Sequence, residues 1–110
     1  MMQPVKKDRD DLVFKALSNP DRRYVLDLLR ESPCTTADIC AAIPRLNRCT
    51  VMQHLAALEK ADLVISRKKG RCRWNYLNVQ PIRQIYERWI CAYSAPAVEL
   101  LVRLQEDLES

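Results

Sequence analysis

Arg48, Thr50 and Gln53 stand close together at the head of the segment Asn47–Lys60, NRCTVMQHLAALEK. A guanidinium, a hydroxyl and an amide in this order supply donors for phosphate oxygens and for base edges in a DNA groove. Other candidate chemistry is sparse. His54 is the only histidine, which excludes a multi-histidine metal site. The cysteines Cys34, Cys40, Cys49, Cys72 and Cys91 are odd in number, and no two form a Cys-x-x-Cys. That disfavours both a disulfide framework and a zinc knuckle, and it fits small half-buried thiols in a reducing compartment. There is no glycine-rich phosphate loop and no nucleophile with a base at a recognisable spacing, so an enzyme is not expected.

The segment that carries these donors reads as a helix. Val51, Leu55 and Leu58 recur at i, i+4 and i+7 and form one narrow apolar stripe. Cys49, Met52, Gln53, Ala56 and Lys60 fall on or near the opposite side. Asn47 suits the N-cap, because its side-chain oxygen accepts from an orphan N–H of the first turn. An ordinary amphipathic surface helix would show the same pattern, so the neighbouring elements decide the reading.

Upstream, residues 1–10 are polar and are expected to fray. Leu12, Val13, Ala16 and Leu17 predict a short helix over Asp11–Ser18. Asn19-Pro20-Asp21 combines a cap, a proline at the first helical position and an acid at the positive end of the dipole. The helix it opens runs to about Glu31, with Val25, Leu28 and Leu29 inward. Thr35-Thr36-Ala37-Asp38 resembles a capping box with Asp in place of Glu. The helix behind it holds Ile39 and Ile43 and stops near Pro44. Two short helices separated by Arg45-Leu46-Asn47 form a helix-turn-helix pattern, whose second helix enters the major groove by its N-terminal half.

Downstream, Val64–Lys68 and Arg71–Asn78 predict two strands around Lys69-Gly70, where the only glycine supplies a positive φ. In the second strand Cys72, Trp74 and Tyr76 alternate with Arg71, Arg73 and Asn75, which predicts one apolar or aromatic face and one basic or polar face. A basic hairpin in this place is a wing. Asn78–Pro81 opens a further helix with the stripe Ile82, Ile85, Tyr86, Trp89, Ile90 and Tyr93. Ser94 suits the cap of a last helix that carries Ala97, Leu101, Leu104 and Leu108. This much apolar surface predicts either a symmetric dimer, built on the C-terminal helices and the first helix, or a last helix folded back on its own subunit.

The 110 residues predict a single domain, mainly α with a small β-hairpin: five or six helices and a two-stranded wing. Its parts are a helix-turn-helix over about 35–60, a wing over about 64–78 and dimerisation helices over about 79–108. Net charge is +4, yet residues 45–75 hold eight basic side chains against two acidic ones, so the rest of the chain is slightly negative. A basic patch on such a background fits a polyanionic partner. The start, MMQPVKKDRDD, lacks the apolar run of a signal peptide, and no run reaches the length of a membrane span, so a cytoplasmic protein is expected.

Taken together, VFKALSNPDRRYVLDLL, TTADICAAIPRLNRCTVMQHLAALEKADLV, RKKGRCRWNYLN and PIRQIYERWICAY resemble the arsenic-repressor-type (ArsR/SmtB-like) winged-helix transcription regulators. The resemblance covers nearly the whole chain from Val13. It implies a homodimeric repressor of a pseudo-palindromic operator in double-stranded DNA. By motif position it assigns base edges to Arg48, Cys49, Met52 and Gln53, positioning or phosphate contacts to Thr50 and His54, and wing contacts to Lys68, Lys69 and Arg71. The helical wheel agrees except at His54, which lies at the edge of the apolar stripe and also suits a packed or capping role. Cys49 and Met52 bond poorly, so they would read shape or a thymine methyl. Metal-sensing relatives carry a Cys-x-Cys pair where this chain has Thr35-Thr36-Ala37, and Asp and His ligands where it has Asn78-Val79-Gln80-Pro81. The resemblance is therefore to a subgroup without those ligand motifs, and no metal or cofactor is expected. Two alternatives stay open: a thiol- or metalloid-responsive repressor using Cys34, Cys40 and Cys91, and a winged-helix module whose basic face meets an acidic protein.

Overall fold

The computed structural model describes residues 4–90, 93 and 95–109. The element order is α1 (Pro4–Leu17), α2 (Pro20–Glu31), β1 (Cys34–Thr35), α3 (Thr36–Ala42), α4 (Arg48–Lys60), β2 (Val64–Lys69), β3 (Cys72–Leu77), α5 (Gln80–Trp89) and α6 (Ala95–Glu109). The strands form one antiparallel sheet in the order β1-β3-β2. The core joins Val13 and Ala16 of α1, Val25, Leu26 and Leu29 of α2, Ile39 of α3, Val51, Leu55 and Leu58 of α4, Leu63 and Val64 at the entry to β2, and Ile85 of α5.

Caps place the helices. Asn19 Oδ1 accepts from the backbone N–H of Asp21 (2.8 Å) and of Arg22 (3.3 Å). Thr35 and Asp38 complete a capping box, with Asp38 N–H donating to Thr35 Oγ1 and Thr35 N–H donating to Asp38 Oδ2. At the exit of α4, Asp62 N–H bonds Glu59 O and Leu63 N–H bonds Leu58 O, each at 2.9 Å. This is a Schellman closure with aspartate, at φ 61°, where glycine is usual. Leu58 and Leu63 are both fully buried, which supplies the apolar contact that accompanies such a closure.

Several expectations need correction. The first helix begins at Pro4, and its middle is tied down by ion pairs from Arg9 to Asp62 (2.8 Å) and from Asp10 to Arg88 (2.7 Å). In α2 the third inward residue is Leu26, with Leu28 only half-buried. The wing hairpin gains a third strand, because Cys34 and Thr35 pair with Asn75 and Trp74. That pairing puts β3 in the middle of the sheet and buries Asn75 out of the face expected to be basic or polar, while Arg71 and Arg73 stay exposed. Asn75 is 1% exposed, while Trp74 and Tyr76 are half-buried. The Asn75 amide donates to Cys34 O (3.2 Å) and Thr36 Oγ1 (3.3 Å), and its oxygen accepts from Ser66 Oγ (3.3 Å). One side chain thus ties β1, α3 and β2 to β3. The turn falls on Gly70-Arg71, with Gly70 at φ 62°, and Lys69 pairs with Cys72.

The described residues leave most of the C-terminal stripe uncovered. Of the expected α5 residues Ile85 is buried, whereas Ile82, Tyr86, Trp89, Ile90 and Tyr93 are exposed. No residue of α6 is buried. Among the described residues, then, nothing buries the last helix. The radius of gyration, 17.3 Å, exceeds the value of about 13 Å usual for a compact chain of this length. Cys91 and Ser94 lie outside the described residues.

Asn75→Ala is expected to cost about 1–3 kcal/mol, because it strands the buried polar groups it now satisfies. A fall in the urea midpoint at unchanged slope checks this.

Candidate nucleic-acid interface

Asn47, just before α4, orients the helix: its Oδ1 accepts from Thr50 N–H at 2.8 Å. Val51, Leu55 and Leu58 lock one side into the core. Arg48, Cys49, Met52, Gln53, Ala56 and Lys60 are exposed on the other. The side chains of Arg48 and Gln53 make no hydrogen bond or ion pair with the described residues, so their donors are free for a ligand. Thr50 is half-buried beside them. α3 packs against α4 across residues 43–47, which completes the helix-turn-helix.

His54 departs from this set. It is 9% exposed and turned toward α2. Its Nδ1 accepts from Arg22 Nε at 3.2 Å, and its Nε2 lies 4.0 Å from Asp21 Oδ2. Burial in that contact removes His54 from the face open to a duplex. Spacing along the helix placed it at the stripe's edge; its partners, 32 and 33 residues away, had no local signal.

The basic segment divides in two. Arg45 is bound to Asp21. Arg73 donates to Ser66 Oγ (2.7 Å) and lies 3.8 Å from Glu59. Arg48, Lys60, Arg67, Lys68, Lys69 and Arg71 are exposed with no carboxylate partner among the described residues. Lys69 Nζ sits 6.0 Å from the centre of the Tyr76 ring. The wing residues Lys68, Lys69 and Arg71 thus stand at the hairpin tip, and Arg67 and Lys60 extend the charge beyond the residues singled out from sequence. Their signal was the unbalanced charge of the whole segment.

Cys34 and Cys40 are half-buried, Cys49 and Cys72 exposed. Burial first, and then the Asp38 carboxylate, push the Cys34 thiol up, away from the reactive thiolate. Among the described residues no three metal-binding side chains converge.

A helix-turn-helix with an open second helix, followed by a basic two-stranded hairpin, defines a winged helix-turn-helix DNA-binding domain. The profile described as bacterial regulatory protein, arsR family, matches residues 19–66. The uncharacterized HTH-type transcriptional regulator YuzN of Bacillus subtilis (strain 168) is 33% identical over 86 residues, 73% of this chain and 94% of YuzN. The transcriptional repressor SdpR of the same strain is 35% identical over 66 residues, 60% of this chain and 72% of SdpR. The solution structure of the homodimeric winged helix-turn-helix DNA-binding domain Mb0332 from Mycobacterium bovis, a possible ArsR-family regulator, superposes with a TM-score of 0.64 at 28% identity, over 77% of this chain and 79% of that one. This chain belongs to the arsR family of bacterial transcriptional regulators.

The buried His54 makes stability depend on pH. Its pKa is lowered from 6.5 by burial first, then by Arg22, with Arg45 adding and Asp21 opposing. The fold therefore prefers neutral imidazole. Its contribution is complete above the unfolded value of 6.5 and is lost as pH falls below it, because the unfolded chain then takes up a proton that the folded chain refuses. Melting temperature is expected to fall between about pH 7.5 and 5.5, and to fall less in His54→Gln, as calorimetry would show.

Proposed function

We propose that this regulator is a homodimeric, sequence-specific repressor that lays the N-terminal half of α4 in the major groove and its wing on the flanking duplex. The observation that carries this reading is the open face of α4, where Arg48 and Gln53 keep their donors unspent beside the uncompensated wing cations. Arg48 reads a base edge, since bidentate arginine to guanine is the commonest specific contact. Gln53, Cys49 and Met52 line the same face, Thr50 positions it, and Lys68, Lys69 and Arg71 meet phosphates.

The chain forms one domain, in which α5 and α6 serve dimerisation together with α1. Support comes from the exposed apolar side chains of α6, where each leucine left wet forgoes about 1.5–3 kcal/mol. It comes also from Phe14 and Trp89, stacked at 5.9 Å between α1 and α5 and both still half open to solvent. SdpR is named a repressor and Mb0332 a homodimer, and repression and pairing are carried to this chain as part of the proposal. A two-fold dimer calls for a pseudo-palindromic operator with half-sites about one helical turn, or a multiple, apart.

Footprinting of the purified protein on its genome tests the reading; failure to protect any duplex at low salt would overturn it. Arg48→Ala is expected to cost about 1–3 kcal/mol and to relax preference at one base position. A loss uniform over all sequences would make Arg48 a phosphate contact instead. Lys69→Ala is expected to reduce the salt slope by about one unit, and an unchanged slope removes the wing from the contact surface. Leu101→Glu with Leu104→Glu is expected to give monomers in sedimentation and to abolish operator binding at concentrations where the parent chain binds.

A further inference from the structure

We propose that His54 is a positioning residue of the recognition helix: through Arg22 and Asp21 it sets how α4 lies on α2, and its protonation loosens that seat. The inference rests on α4 being the DNA-reading helix. Its basis is a cluster that spans four parts of the fold. His54 projects from the middle of α4, its side chain 11% exposed. Arg22 donates to its Nδ1 from α2 and, by its other end, to Lys15 O of α1 at 3.4 Å. Asp21, next to Arg22, faces the other ring nitrogen and binds Arg45 from the connection between α3 and α4. Both α2 residues are held at the helix start by the Asn19 cap.

This geometry works in one protonation state. Arg22 has only donors, so Nδ1 must keep its lone pair. A proton on Nδ1 converts that hydrogen bond into donor against donor and sets imidazolium beside two guanidinium groups, Arg22 and Arg45. The one acid facing it, Asp21, is already engaged by Arg45. The ring must then leave Arg22, and the seat of α4 on α2 loses its polar contact. Gln53 immediately precedes His54, and Met52 and Cys49 lie within the preceding turns, so any tilt of the helix is delivered to the open face. Because His54 is the only histidine, no other side chain with an ordinary pKa titrates between about pH 5 and 8.

The test uses the full chain and a duplex selected by the unmodified protein from a random library at about pH 7.5, with a scrambled duplex as reference. The parent chain is expected to lose about tenfold of its preference for the selected duplex on going to about pH 5.5 at constant salt. His54→Gln, which keeps an acceptor but does not titrate, is expected to hold its preference without a pH trend. His54→Leu, folded by circular dichroism, is expected to lose about tenfold or more at both pH values. Amide exchange across residues 51–58 provides a readout without DNA: protection falls with acidification in the parent chain and not in His54→Gln. A pH trend shared by the parent and His54→Gln overturns the proposal, as does a folded His54→Leu that discriminates like the parent. Should His54→Leu fail to fold, the glutamine variant and the exchange data decide. Unchanged protection in acid overturns it too. Failure to select any duplex is instead a failure of the DNA-binding reading, which the exchange experiment leaves separate.

Discussion

A single helix of thirteen residues has to serve as a wall of the core and still leave a flank bare. Nearly every other feature follows from that division of α4. Val51, Leu55 and Leu58 occupy the centre of the apolar cluster, where α1, α2, α3 and the start of β2 all meet them. Anchoring through three side chains on one narrow stripe lets the exposed positions carry residues with no packing duty. Arg48, Cys49, Met52 and Gln53 contribute little to holding the fold, so their identity is free to answer to a ligand. The caps matter for the same reason. Asn47 fixes where the helix begins, and the Asp62 closure fixes where the chain leaves for the wing.

The electrostatics follow the same division. A count of charges over residues 45–75 treats all eight cations alike, yet the fold uses two of them internally. Arg45 steadies the α2 start through Asp21, and Arg73 braces the hairpin against α4 through Ser66 and Glu59. What is left is concentrated on the bare flank of α4 and along the wing. Exposed ion pairs of this sort contribute little to stability, about 0–1 kcal/mol each. Their effect here is to decide which cations remain uncompensated, and it is uncompensated charge that draws a polyanion.

Features with a local cause were legible in the sequence. The Asn19, Thr35 and Asn47 caps, the α4 stripe and the glycine of the wing turn each depend on residues a few positions apart, and the structure places them as read. The open positions of the candidate site were legible for the same reason. Features with distant causes were not. Cys34 and Thr35 give no strand signal by themselves and become a strand only by pairing 40 residues on. Asn75 looks like a surface residue until β1 closes over it and three polar groups gather round its amide. Asp62 offers no glycine to announce a left-handed closure; buried Leu58 and Leu63 impose it. His54 was ambiguous on the wheel because its position marks an edge, and only the α2 start, folded back against it, decides which way the ring turns.

The C-terminal third is a case where sequence and structure agree that something is unfinished. α6 is amphipathic along its length, with Leu101, Leu104 and Leu108 in one row, and none of that row is buried. A helix of fifteen residues with no buried side chain is marginal, because nucleation is costly and most helical stability in proteins comes from packing an apolar face. The half-open Phe14–Trp89 stack and the exposed Ile90 and Tyr93 continue the same apolar character from α1 and α5 toward α6. Exposed apolar side chains in this number on a small DNA-binding domain are met most simply by its own copy, since a two-fold axis buries every patch twice with one set of residues. In the proposed dimer that axis would set the distance between two α4 helices, and with it the half-site spacing they could read together. The apolar C-terminal helices would then govern, through that axis, where the two α4 helices meet DNA.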